Sequence, residues 1–230
     1  MHRVFPPDCY GVPVRGTAVQ FPVRRIFCVA RNYAAHAREM GASAREDPFF
    51  FMKPACAMCA VTDQAVVPIA YPPRCENLQP EVELVVAIGE QGRDLDVHDA
   101  HRPILGYAVG LDMTRRDVQA KLKEKGHPWE LAKAFDQSAP LSVITPVADC
   151  GHPQSGAITL SVNGAIRQRG DIEEMIWSVP ELISTLSRWF VLMPGDLVFT
   201  GTPAGVGPVQ RGDLLHAQAA GVAQLRVTIA

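Results

Sequence analysis

The sequence predicts an α+β fold in which strands outnumber helices. Three observations carry this expectation. The apolar runs are short, rich in β-branched and aromatic residues, and bounded by glycine, proline or asparagine. Only a few segments have the composition or apolar spacing of a helix, and no repeat, heptad or low-complexity stretch interrupts the pattern. A chain of 230 residues, 47% of them hydrophobic, is long enough to bury one full core, so a single domain over residues 22–230 is expected behind an extended N-terminal arm, residues 1–21.

In chain order, the arm is rich in proline and glycine, and Phe21 to Ala30 then reads as a strand. Arg31 to Gly41 has helix-forming composition, with Asn32 able to cap its start and Gly41 to stop it. Phe49 to Pro54 is a short apolar strand, and Lys53 at its end points into a site or caps a surface. Leu78 to Gly89 is the most apolar strand, followed by a polar loop over Gln91 to His101 and a further buried strand, Leu105 to Asp112. His98 and His101 in that loop have a chelating spacing but no acidic or cysteine companions, which points to surface residues. Thr114 and Asp117 have capping-box spacing, which starts a helix at Arg115 that carries Arg116 and Gln119. Lys133 lies among Trp129, Leu131 and Phe135, either half-buried with an anion or reaching to water. Asn163-Gly164 between alternating residues is a hairpin signal, and Met175 to Leu192 has helical apolar periodicity with Pro180 in the first turn of its main part. The chain ends in strands around the glycine-rich loop Thr200 to Gly207.

Composition excludes several classes. A net charge of −2 and the lack of any lysine or arginine run leave no face for nucleic acid or a membrane surface. No apolar run approaches the roughly 20 residues of a membrane span, and the N-terminus does not resemble a signal peptide, so the cytoplasm is the expected compartment. The six cysteines are scattered, as expected of reduced thiols. Cys56 and Cys59 form a lone C-x-x-C without the second pair that a structural zinc site needs. The glycine-rich loop lacks the lysine of a phosphate-binding loop, and no helix follows it. Its backbone N–H groups could instead approach a substrate carboxylate, with Thr202 assisting.

The chemistry gathers at Glu81-Val82-Glu83. Side chains alternate along a strand, so Val82, Leu84, Val86 and Ile88 share one face while Glu81, Glu83, Val85 and Ala87 share the other. Either both glutamates sit at a wet strand end, or they are buried and need a cation, for which a hard divalent metal suits an all-oxygen site. Asp112, which closes the next apolar strand, has the character of a third ligand. His36 and Glu39 lie three apart on one helical face, where a carboxylate raises the basicity of an imidazole; an exposed pair on a solvated helix has the same spacing.

Together, Arg31-Asn32-Tyr33 with His36 and Glu39, Glu81-Val82-Glu83-Leu84, Leu111 to Asp117, Ala132-Lys133 and Thr200 to Gly207 resemble the fumarylacetoacetate hydrolase family. Within it the chain is most similar to the small fumarylpyruvate hydrolases and acylpyruvases. The resemblance implies a mixed β-roll, like the family's C-terminal domain, with a few flanking helices and a lid helix, and usually a homodimer. It implies Mg2+ or Mn2+ on Glu81, Glu83 and Asp112, and a His36–Glu39 dyad on the lid that activates water. It also implies Lys133 and Gln119 at a developing oxyanion, and Thr202 with Gly201 in a substrate-binding loop. The expected activity is hydrolysis of a carbon–carbon bond in a 2,4-diketo acid, fumarylpyruvate giving fumarate and pyruvate. A second substrate carboxylate needs a cation, for which Arg31 and Arg116 are the candidates. The alternatives are an oxaloacetate decarboxylase on the same metal site and a non-catalytic metal-binding relative.

Overall fold

The computed structural model describes the backbone of residues 10–39 and 46–230, and the side chains of the same residues apart from 37–39. Its centre is an eight-stranded mixed sheet. Along the main path the strands run in the order Phe49–Pro54, Arg25–Ala30, Asp196–Phe199, Val82–Ile88, Ile104–Leu111, Ala139–Ser142 and Met58–Val61, with Thr145–Pro146 pairing beside Ile104–Leu111. A second sheet of five strands contains the hairpin Ala157–Val162 and Ala165–Asp171, followed by Leu214–Ala219, Ala223–Ile229 and Val66–Ile69. Few helices flank these sheets, and the fold is the sheet-dominated α+β architecture expected from the sequence.

The alternation read from Val82–Ile88 holds in three dimensions. Val82, Leu84, Val86 and Ile88 pack into one apolar cluster, with residues from both sheets and from the helix Val179–Trp189. Val85 and Ala87 face the opposite cluster with Phe199, Leu141 and Ile26. A strand buried on both faces is a continuous apolar run, so this sequence had to lie at the middle of a sheet.

The N-terminal part of the chain differs from expectation. The proposed arm is folded back: Gly11–Pro13 pairs with Gln20–Pro22 as a small antiparallel ribbon, with Val12 and Phe21 buried in the second cluster. The residues before Tyr10 lie outside the described chain. At the Asn163-Gly164 hairpin both residues take positive φ, 52° and 83°, the conformation that such a two-residue turn needs. Among the described residues no helix is long and apolar enough to cross a membrane.

Two expected helix starts are also corrected. Asn32 does not cap the helix Ala34–Glu39; its amide bridges the backbone, donating to the carbonyls of Trp177 and Thr200 at 2.9 and 2.8 Å and accepting from the Trp177 N–H at 2.8 Å. Thr114 and Asp117 form no capping box. The Thr114 hydroxyl donates to the Asp112 carbonyl, Asp117 accepts from the Glu76 N–H, and the helix runs Arg116–Glu124 without a side-chain cap. For Asn32 and Asp117 a backbone group distant in the chain takes the place of the local cap.

Candidate active site

The site follows from one strand pairing. Val82–Ile88 and Ile104–Leu111 are antiparallel, with Val82 opposite Leu111 and Glu83 opposite Gly110. The start of one strand therefore lies beside the end of the other, and the Asp112 N–H donates to the Glu81 carbonyl at 2.8 Å. This brings Glu81, Glu83 and Asp112 together, with one carboxylate oxygen from each within 4.8 Å of the others. They are 5%, 1% and 1% exposed, so the alternative of a wet, frayed strand end is overturned.

Cations converge on this triad. Lys133, expected to reach more readily to water, is buried, and its Nζ lies 2.8 Å from Glu81 Oε2 and 2.7 Å from Asp112 Oδ2. Lys53 Nζ stands 2.9 Å from Asp112 Oδ1 and also donates to the Lys133 carbonyl. Arg116 grips Glu81 Oε1 through one guanidinium nitrogen, while the others donate to Gln79 Oε1 at 2.8 Å and Gln119 Oε1 at 2.6 Å. Against burial, which alone would raise it, the charges of Lys133 and Arg116 hold the Glu81 carboxyl well below the usual carboxylate range. Glu83 goes the other way: burial, then the charges of Asp112 and Glu81, push it well up, and the Gly201 N–H at 2.7 Å only partly offsets them. Burial would lower Lys133, but Asp112 and Glu81 raise it above the ordinary lysine value.

A hard divalent cation fits this donor set. Among the described residues Glu83 has no cation at ion-pair distance, and buried Asp112 Oδ1 has the Lys53 charge beside it but no hydrogen-bond donor. Acceptor capacity on two buried carboxylates is thus left for an ion that prefers oxygen ligands.

The triad opens into a cleft enclosing about 510 Å³, part of it continuous with solvent. Its inner lining includes His36, Glu81, Glu83, Lys133, Gln119 and Thr202; Arg31, Arg116, Lys123, Phe51 and Trp129 lie around them. His36 is buried, and its charge when protonated favours ionised Glu81. The segment before its helix is stitched down through Asn32, which fixes where the helix begins.

Residues 25–230 match the family model described as fumarylacetoacetate (FAA) hydrolase C-terminal. The chain belongs to this family. A crystal structure of fumarylpyruvate hydrolase from Pseudomonas aeruginosa in complex with Mn2+ and pyruvate superposes with a TM-score of 0.98 at 50% identity, covering 100% of this chain and 99% of that one. Among curated relatives, oxaloacetate tautomerase YcgM of Escherichia coli (strain K12) is 45% identical over 87% of this chain and 90% of its own length. The mitochondrial oxaloacetate tautomerase FAHD1 of Mus musculus is 41% identical over 90% of this chain and 91% of its own. The protein is an enzyme of this family, and the proteins it is similar to include a fumarylpyruvate hydrolase and oxaloacetate tautomerases.

Most of the site residues read from the sequence meet in the cleft: Arg31, His36, Glu81, Glu83, Arg116, Gln119, Lys133 and Thr202, with Asp112 directly behind. The Glu39 side chain lies outside the described residues. Gly201 differs from its expected part, because its N–H donates to Glu83 rather than offering a donor to a ligand. Its φ of 94°, and the 2.6 Å that would separate an added Cβ from Asn32 Cβ, explain why glycine is needed there. Of the two alternatives read for Lys53, the one that points it into the site holds, and one support, Gln168, was missed. Lys53 sits on the same strand parity as Phe51, which lines the cleft, and that parity was the available signal. Gln168 donates to Thr202 Oγ1 and to the Pro203 carbonyl, both at 2.8 Å, and accepts from the Val82 N–H at 3.0 Å. Nothing local marks it, since it lies 86 residues from Val82 in the chain.

Proposed function

We propose that the protein is a divalent-metal-dependent hydrolase of 2,4-diketo acids, with fumarylpyruvate, cleaved to fumarate and pyruvate, as its best substrate. The observation that carries this reading is buried His36 lining the same cleft as Glu81 and Glu83, with Asp112 completing the triad behind them, a potential base beside a metal donor set. The full-length similarity to a fumarylpyruvate hydrolase at 50% identity supports the choice of substrate. Glu81, Glu83 and Asp112 would hold Mg2+ or Mn2+, which when bound supplies Lewis-acid polarisation of the keto-acid oxygens.

The residues of the chain divide the remaining work. His36 takes a proton from water, whose oxygen adds to the distal carbonyl carbon. Lys133 and Gln119 steady the negative charge that forms there; the Gln119 carbonyl oxygen is engaged by Arg116, so its amide N–H is the group it offers. The bond from that carbon to the methylene group then breaks, its electron pair stays with the pyruvate fragment, and a proton is returned to the methylene carbon. The acyl fragment leaves as a carboxylic acid. Gln168 fixes the Thr202 hydroxyl at the cleft wall, and the helix from Ala34 covers the reaction from bulk water. A homodimer in the cytoplasm completes the reading, and sedimentation equilibrium checks the assembly.

The two curated relatives favour a second reading, interconversion of the keto and enol forms of oxaloacetate. That reaction uses the same metal and a base but consumes no water. The deciding experiment measures pyruvate released from fumarylpyruvate by protein with Mg2+, with EDTA, and as His36→Ala. Release that needs the metal and falls about 10²–10⁴-fold in the variant supports the hydrolase. Absence of pyruvate from fumarylpyruvate and acetylpyruvate, with metal-dependent loss of the enol absorbance of oxaloacetate, establishes the second reading instead.

A further inference from the structure

We propose that Lys123 is the specificity-determining residue that selects substrates carrying a second carboxylate, by pairing with that group at the mouth of the cleft. The proposal rests on the reading of the cleft as a 2,4-diketo-acid site and adds what holds the far end of the ligand.

Four permanent cations line the cleft: Arg31, Arg116, Lys123 and Lys133. Two are engaged by the protein itself. Arg116 is held by Glu81, Gln79 and Gln119, and Lys133 by Glu81 and Asp112. Arg31 has a carboxylate neighbour, Glu46, at 4.0 Å. Lys123 alone among them has no carboxylate at ion-pair distance among the described residues.

The helix Arg116–Glu124 sets where this charge lies. Arg116, Gln119 and Lys123 are spaced i, i+3, i+7, so they share one face, and all three line the cleft. At 1.5 Å per residue, Lys123 stands about 10 Å farther along the axis than Arg116, which marks the triad end. Side chains on a helix lean toward its N-terminus, so the lysine stem leans back toward the triad. The cleft also has aromatic walls: Phe51, with the Lys133 amine 5.1 Å from its ring centroid, and Trp129, whose ring centroid is 6.0 Å from that of Phe51.

A ligand matching this lining has an α-keto acid head at the triad, a short flat or apolar middle against the rings, and a terminal carboxylate at Lys123. Fumarylpyruvate has that form, whereas acetylpyruvate lacks the terminal charge. Lys123 therefore separates dianionic from monoanionic diketo acids, while Arg116 orders Glu81.

The test compares the metal-loaded wild type with Lys123→Met and Lys123→Glu, both at an exposed position where folding is not at risk. KM and kcat are measured for fumarylpyruvate and acetylpyruvate. Binding of the unreactive pair 2-oxoadipate and 2-oxohexanoate is measured by calorimetry. In Lys123→Met, KM for fumarylpyruvate should rise about five- to tenfold with kcat within about twofold, and acetylpyruvate should be unaffected. The preference for 2-oxoadipate over 2-oxohexanoate should shrink by a similar factor, and further in Lys123→Glu. Equal changes for charged and uncharged tails, or no change for either, overturn the assignment. If neither diketo acid is hydrolysed, the reaction proposed above is wrong. The 2-oxoadipate to 2-oxohexanoate affinity ratio still decides Lys123: an unchanged ratio in the variants rejects it, and a reduced one supports it.

Discussion

Glu81 and Glu83 are two residues apart, equally buried, and displaced in opposite directions from the ordinary carboxylate value. The difference lies in their partners, since Lys133 and Arg116 face Glu81 whereas Glu83 meets two carboxylates and a single backbone N–H. Glu83 is thus the ligand whose charge most needs an added cation. Replacing it by glutamine keeps an acceptor for Gly201 and removes the repulsion. Metal-free Glu83→Gln should melt at or above the metal-free wild type, and its melting temperature should no longer rise with Mn2+. Lys53 presents the converse case, because Asp112 loses one of its two buried cations when the amine is removed. Lys53→Met should destabilise the metal-free protein by about 3 kcal/mol in urea unfolding, the cost of leaving a buried charge less compensated.

At the scale of elements, the loop after Asp196–Phe199 ties the site to the rest of the sheet. Thr200 donates its hydroxyl to the Leu84 carbonyl at 2.8 Å, Gly201 donates to Glu83, and Thr202 is held by Gln168 from the second sheet. Gly201→Ala meets both obstacles at once, a positive φ and contact with Asn32. It should lower stability by about 1–3 kcal/mol and weaken metal binding, since the loop must shift and its N–H leaves Glu83. Parallel urea and calorimetric titrations check the two effects. Gln168→Ala removes three buried hydrogen bonds with little backbone strain. Its expected signature is a higher KM at nearly unchanged metal affinity, measured by steady-state kinetics beside Mn2+ titration.

For the whole molecule, the triad joins neighbouring strands at the centre of the large sheet, so metal binding stabilises the fold rather than a local loop. At a metal concentration 100 times the dissociation constant, linkage adds about 2.7 kcal/mol. For a domain of this size that is about 5–10 °C in melting temperature, which EDTA should remove in a scanning calorimeter. An unchanged transition on chelation would mean that the carboxylates hold no ion in the native protein.

The α+β class, the central double-sided strand, the hairpin at Asn163-Gly164 and the carboxylate pair are legible in the order of residues alone. Each of these is a local pattern: period-2 alternation, a two-residue turn, two acids in an apolar run. Local pattern also singled out Asp112, His36 and Thr202 as candidates, and resemblance gave Lys133 and Gln119 their roles. Whether each polar group is buried, and with what partner, follows from the packing of distant segments. The same Glu81-Val82-Glu83 suits a wet strand end or a metal site, and the choice came from Asp112, 31 residues after Glu81, being carried alongside by antiparallel pairing. Asn32, Lys53 and Gln168 took their roles from backbone groups and carboxylates distant in the chain, and Asp117 gave up a local cap for the same reason. Local spacing states which partners a side chain can reach along its own element, whereas burial forces it to the partner that the fold brings near.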